Sequence, residues 1–263
     1  MKISANGISM GYTLDGPADA PVLMLSHSLA ADSSMWDPQM AELTPRWRVL
    51  RYDTRGHGAT EAPAGAYSLG QLADDALALL DALKIRRTHW LGLSMGGMIG
   101  QTLALKAADR FASLVLADTS SRVPPEAKAT WQERIKTAET QGMDPIVEPT
   151  IGRWFTAPFR ERGEDVVDRV RAMIRGTNPR GYAGCCHAIS MLNLTDRLGA
   201  IKLPTLVVVG EEDQGTPVAA ARTIHEGIKG SELVVIPSAA HLSNLEQPEV
   251  FTKAVTGFLS RVG

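Results

Sequence analysis

The sequence predicts an α/β fold built on a mostly parallel, doubly wound sheet with an inserted helical cap. Three observations carry that expectation. Short apolar runs recur at strand length, amphipathic stretches separate them, and one long segment interrupts the alternation.

The opening "KISANGISMGYTL", with Asn6-Gly7 at its centre, reads as an antiparallel hairpin on the sheet edge. Four apolar runs then read as buried parallel strands: "PVLMLSHS" from Pro21, "WRVLRYD" from Trp47, "THWLGLS" from Thr88 and "ASLVLADT" from Ala112. Two more follow late, "PTLVVVGEED" from Pro204 and "ELVVIPSA" from Glu232. They are apolar on both faces, as a sheet covered by helices on both sides requires. Between them, "LGQLADDALALLDALKI" sets Leu72, Ala76, Leu79, Leu80 and Leu83 on one helical stripe. "MGGMIGQTLALKAAD" predicts a buried helix, "PVAAARTIHEGI" starts with a helix-opening proline, and "QPEVFTKAVTGFLSRV" predicts a closing helix. Residues 122–196 break this rhythm. They are rich in Arg, Glu and Pro, carry Trp131, Trp154 and Phe155, and predict a helical lid inserted into a core of residues 1–121 and 197–263.

Composition narrows the function classes. At 263 residues the chain should bury roughly 75% of its unfolded surface and needs no disulfide staples. A net charge of −2 gives no electrostatic footprint for nucleic acid or anionic membrane, so neither is expected as a partner. "MKISANGISMGYTLDG" lacks a signal-peptide core, and no stretch approaches the ~18 apolar residues of a membrane span. Cys185 and Cys186 are adjacent and cannot join distant segments, which fits a reducing compartment. A cytoplasmic protein is expected, without a cofactor. With His187 the cysteines could suggest a metal site, but neighbouring thiols offer poor tetrahedral geometry, and no metal is expected. The oligomeric state is not legible.

The chemistry is concentrated at "HWLGLSMGGMIG". Gly92-Leu93-Ser94-Met95-Gly96 matches G-x-S-x-G, a strand-to-helix turn that exposes a serine. At average usage of about 7% for glycine, with serine similar, roughly one chain of this length in ten carries the pattern by chance. Its place between an apolar run and a buried helix therefore matters more than the match. A serine needs an adjacent base. His241, in "LVVIPSAAHLSN", follows the last predicted strand and emerges at the same carboxyl edge as Ser94. His57 sits in a tight turn and suggests a structural role, His89 begins a strand, His27 ends one, and His225 sits in a predicted surface helix. The carboxylate that orients His241 is sought in "VVVGEEDQGTP", where Asp213 is preferred over Glu211 and Glu212, with Asp118 as rival on the preceding strand. An oxyanion hole is expected from the amides of Met95 and of the "SHSLAAD" loop, at Leu29 or else Ser28.

The Ser94 turn, "YDTRGHG", "VVVGEED" and late His241 resemble the α/β-hydrolase superfamily over essentially the whole chain. More narrowly, "SLAADSSMW", "RVLRYDTRGHGATEAPAGAYSL", "RWFTAPF" and "GYAGCCHAI" are similar to the 3-oxoadipate enol-lactonases of bacterial aromatic catabolism, in the β-ketoadipate pathway. The resemblance implies hydrolysis of 3-oxoadipate enol-lactone by Ser94, Asp213 and His241, with Leu29 and Met95 as oxyanion donors and Trp154 lining the pocket. Because that lactone carries a carboxylate, Arg122 and Arg153 in the inserted segment are the candidate cations. One departure stands out: many enol-lactonases read S-N-S-L-G where this chain has Ser26-His27-Ser28-Leu29-Ala30. A broad carboxylesterase or a carbon–carbon bond hydrolase would use the same triad. A ligand-binding receptor of the same fold is the reading from outside enzymes.

Overall fold

A computed structural model describes residues 1–262. Strands β1 (Lys2–Ala5) and β2 (Ile8–Asp15) pair antiparallel through the Asn6-Gly7 turn, where both residues take positive φ. Six strands then run parallel: β3 (Val22–Ser26), β4 (Arg48–Tyr52), β5 (Thr88–Leu93), β6 (Phe111–Ala117), β7 (Thr205–Gly210) and β8 (Glu232–Ile236). The sheet order is β1-β2-β4-β3-β5-β6-β7-β8, with β2 antiparallel to β4.

Every residue of β5 is buried, as a central strand with both faces covered requires. Its Trp90 lies between Tyr52 and Phe111, at ring centroid distances of 6.3 and 6.0 Å. The edge strand β8 departs from the expectation of two covered faces. Leu233 and Val234 are half-buried and Val235 is exposed, because no strand lies beyond β8. Each parallel strand also stops short of its apolar run's end. The residues just beyond, His27, Ser94, Asp118 and Glu211 to Asp213, leave the ladder at the carboxyl edge, where α/β sheets present their side chains.

Helices α1 (Asp37–Leu43), α2 (Leu69–Ala82) and α3 (Met95–Lys106) follow the first strands. Ser68 caps α2 by accepting from the Gln71 amide, and the helix buries the predicted Leu72, Ala76, Leu79 and Leu80. The sequence stripe did not reveal α1, which is only two turns long. Trp36, at its start, is fully buried 6.2 Å from Phe251.

Between β6 and β7 stand five helices: α4 (Lys128–Gln141), α5 (Asp144–Trp154), α6 (Ala157–Arg162), α7 (Glu164–Gly176) and α8 (Pro179–Ser190). The chain enters and leaves this segment side by side. Val123 donates to the Leu192 carbonyl at 3.0 Å and Leu194 to that of Ser121 at 2.7 Å. Helices α9 (Val218–Gly227), α10 (Ser243–Glu246) and α11 (Pro248–Val262) complete the cover. Among the described residues no helix is long and apolar enough to cross a membrane.

Candidate active site

Ser94 joins β5 to α3 with φ 56° and ψ −112°, a conformation that non-glycine residues rarely adopt and that costs on the order of 1–3 kcal/mol. The surroundings over-determine it. The Ser94 amide donates to the Ala117 carbonyl at 2.9 Å, and the Thr119 hydroxyl donates to the Ser94 carbonyl at 2.7 Å. The left-handed backbone of this turn falls on the serine itself and not on Gly92, Gly96 or Gly97. Gly96 is needed instead for close approach, since a Cβ there would collide with the Ser26 carbonyl.

His241 follows β8 and Asp213 follows β7. Their side chains meet at 2.8 Å, between Nδ1 and Oδ2, and both are buried. The same carboxylate accepts from the amides of Gly215 and Thr216 and from the Thr216 hydroxyl, at 2.8, 3.0 and 2.7 Å. A Cβ on Gly210 would strike the backbone of Ala239 and Ala240, so this glycine lets the two loops touch rather than merely bend. The other ring nitrogen, Nε2, has no partner among the described residues and faces the cavity that Ser94 lines.

The rival Asp118 is fully buried but turned elsewhere. Its Oδ1 accepts from the Gly210 amide at 2.8 Å, and its Oδ2 lies 2.5 Å from the Ser243 hydroxyl that donates to it. Glu211 and Glu212 are exposed. Of the four carboxylates weighed from the sequence, Asp213 is the one hydrogen-bonded to His241.

Burial opposes charge on both partners of this pair, and the pairing overcomes it. Asp213, despite desolvation, is held below the usual carboxylate value by His241 and Thr216. His241, despite desolvation, is held above its ordinary 6.5 mainly by the charge and hydrogen bond of Asp213. Asp118 is pushed well above the usual range by burial and by the charge of Asp213, so it is the weaker anion of the two. A measurable consequence concerns pH. If neutral His241 is the base, a raised pKa keeps it charged to higher pH, so kcat/KM should climb through a limb above 6.5. In Asp213→Asn the limb should move to lower pH, because burial alone then favours the neutral ring. A pH–rate profile whose limb stayed put in that variant would contradict this coupling.

In the loop after β3, the Ser28 amide is directed to the Met35 sulfur at 3.4 Å and the Ala30 amide to His57 Nε2 at 3.0 Å. The Leu29 amide has no partner among the described residues, and Leu29 lines the cavity with Ser94. This separates Leu29 from its alternative, Ser28. Met95 is the first residue of α3, where an amide has no intrahelical acceptor and the helix dipole favours negative charge.

The cavity encloses about 260 Å³. Trp154, at the end of α5, lines it, with its ring centroid 6.0 Å from that of His241. The Leu242 amide donates to the Trp154 carbonyl at 3.1 Å. The buried Glu246 carboxylate accepts from Thr156 of the inserted segment and from Ala240 beside His241. Arg153 also lines the cavity and, among the described residues, bonds only to the Thr150 hydroxyl, at 3.2 Å. Burial, and then the nearby Arg134, hold its pKa below the usual value.

Arg122 is a correction. It is exposed, pairs through its backbone with Asn193 at the base of the inserted segment, and does not reach the cavity. Arg134, not singled out from the sequence, takes that place, with its guanidinium 4.6 Å from the Trp131 ring centroid. The signal available was helical spacing, since Trp131 and Arg134 stand three apart on α4 and share a face. Neither Arg134 nor Arg153 has an acidic partner within ion-pair distance among the described residues. A larger groove of about 640 Å³, lined by residues 64–66, α4 and α8, holds none of these groups. Among the described residues no three His, Cys, Asp or Glu side chains converge as a metal site would need.

The family model described as the alpha/beta hydrolase family matches residues 22–254. The 3-oxoadipate enol-lactonase 2 of Acinetobacter baylyi is 38% identical over 259 residues, 98% of this chain and 96% of that protein. The enol-lactonase from Burkholderia xenovorans LB400 is similar in structure, with a TM-score of 0.95 at 41% identity over 99% of this chain and 100% of its own. A thermophilic esterase from Thermogutta terrifontis, solved with malate bound, is similar with a TM-score of 0.93 at 32% identity, over 100% and 98% of the two chains.

Proposed function

The chain belongs to the alpha/beta hydrolase family, and from that premise we propose that it is a carboxylic ester hydrolase opening a small carboxylated lactone, with 3-oxoadipate enol-lactone as the substrate. Ser94 Oγ attacks the lactone carbonyl while His241 Nε2, which lines the same cavity, takes its proton. The amides of Leu29 and Met95 receive the oxyanion. Collapse breaks the ring C–O bond, and His241 returns the proton to the departing enol oxygen. That enol remains tethered to the acyl group and relaxes to the ketone. A water, deprotonated by His241, then releases the acyl group from Ser94 as a carboxylate. Asp213 holds the imidazole tautomer and stabilises its charged form. The partner is thus a small molecule, and no step calls on a cofactor.

The observation that carries the substrate half is the pair of arginines, Arg134 and Arg153, lining the cavity with Ser94 and without acidic partners within ion-pair distance among the described residues. Crowding two cations into one small cavity is unfavourable unless an anion is meant to join them. The malate held by the Thermogutta esterase shows that a relative of this fold accepts a carboxylated molecule.

A charge-assisted bond is worth about 1.5–3 kcal/mol, or roughly ten- to 150-fold in kcat/KM. Arg134→Met and Arg153→Met are therefore expected to depress hydrolysis of carboxylated lactones by that factor and spare neutral esters of similar size. Steady-state rates on a panel containing 3-oxoadipate enol-lactone, other small lactones and simple esters test both halves of the proposal. Equal losses on both substrate types would favour a broad carboxylesterase.

A further inference from the structure

Two buried histidines outside the Ser94–His241–Asp213 group lie directly behind the oxyanion loop. His27 and His57 are 0% and 1% exposed, with ring centroids 5.3 Å apart. Their hydrogen bonds determine their tautomers. His27 Nε2 accepts from the Thr54 amide at 2.9 Å, so its proton is on Nδ1, which donates to the Ser28 carbonyl at 2.7 Å. His57 Nε2 accepts from the Ala30 amide at 3.0 Å, so its Nδ1 carries the proton and donates to the Arg55 carbonyl at 3.2 Å. Both rings are needed in the neutral form. Burial, with the neighbouring His27, pushes His57 down to about 3.

The consequence for Leu29 follows from peptide geometry. The Ser28 carbonyl and the Leu29 amide belong to one trans peptide and point in opposite directions. The Ala31 amide also reaches that carbonyl, at 3.2 Å, so two donors, His27 Nδ1 and the Ala31 amide, fix its direction. On the other side of Leu29, the next peptide is gripped by His57 through the Ala30 amide. Ala30 itself sits at φ 59°, a strained conformation for a residue with a Cβ. We infer that His27 and His57 are positioning residues of the oxyanion hole, two neutral imidazoles that clamp the peptides flanking Leu29 and aim its N–H at the reacting oxygen.

The "YDTRGHG" turn gains a purpose from this. Arg55 is locked to Asp75 of α2 by a buried bidentate pair, at 2.7 and 2.6 Å. Asp53 accepts from the amides of Ser33 and Ala59, at 2.9 and 2.8 Å. The turn is a rigid bracket, and His57 transmits its rigidity to the loop that faces Ser94.

The inference rests on the serine hydrolase reading, and its test separates the two. His27→Asn places a side-chain amide where Nδ1 stood and keeps the bond to Ser28, whereas His27→Gln places an acceptor near Nε2 and keeps only the bond to Thr54. On p-nitrophenyl acetate, His27→Gln is expected to lose on the order of 10²-fold in kcat with KM little changed, the scale of one oxyanion donor. Inhibition by phenylboronic acid, which forms a tetrahedral serine adduct, should weaken in parallel. His27→Asn should keep kcat within about tenfold of the unaltered chain. If His27→Gln does not fold, His57→Gln, which retains an acceptor for Ala30, should outperform His57→Leu in the same two assays. A Gln variant at 27 as active as Asn, a loss shared between kcat and KM, or boronate affinity that ignores kcat would overturn the inference. Undiminished turnover in Ser94→Ala, or no boronate inhibition of the unaltered chain, would instead remove the serine mechanism beneath it.

Discussion

Ser94→Ala is expected to lower kcat by about 10⁴- to 10⁶-fold while the protein stays folded. The residual rate would come from binding and from the amides of Leu29 and Met95, which the substitution leaves in place. Folding should survive because alanine inherits the backbone bonds that hold position 94. The Ala117 carbonyl still receives the amide, and Thr119 still donates to the carbonyl. Serine and alanine both carry a Cβ, so the positive φ at this site is equally strained in each. The measurement is single-turnover hydrolysis of an activated ester, paired with thermal unfolding. A variant that kept more than about a tenth of the activity would show that another group supplies the nucleophile.

The second large effect separates two buried aspartates. Asp213→Asn is expected to cost on the order of 10⁴ in kcat, because an amide would no longer hold the productive tautomer of His241 or stabilise its charge. Asp118→Asn should cost little. Its Oδ1 can still accept from Gly210, and the new amide can donate to the Ser243 hydroxyl, which turns to accept. It also removes a carboxylate that burial and Asp213 already disfavour as an anion. Stability of Asp118→Asn should therefore hold or rise, read as the urea midpoint at neutral pH. The opposite ranking of the two variants in kcat would move the orienting acid to the earlier strand.

Much of this was legible in the sequence because it depends on local order along the chain. The period of two against 3.6, the Asn6-Gly7 turn and the Gly-x-Ser-x-Gly turn each encode a backbone geometry over a few residues. Once the sheet is parallel, strand ends must gather at one edge. That single rule brought Ser94, Asp213 and His241 together on paper, although 119 and 28 residues separate them in the chain.

What tertiary structure alone decided has a common character: direction. Asp118 and Asp213 stand at adjacent strand ends with the same chemistry, and only the packed loops determine which carboxylate turns to the imidazole. Arg122 and Arg134 are both arginines of the inserted segment. One lies exposed at its base, and the other faces the cavity because the packing of α4 against α8 orients that face. His27 and His57 look like a strand end and a tight turn, yet hydrogen bonds across 27 residues join His27 to Thr54 and His57 to Ala30, tying that turn to the loop after β3. A sequence records which groups are near a given edge, since strand and helix periods are local. It does not record where a side chain points once several elements compete for the same space, because that depends on close packing and on satisfying every buried polar group at once.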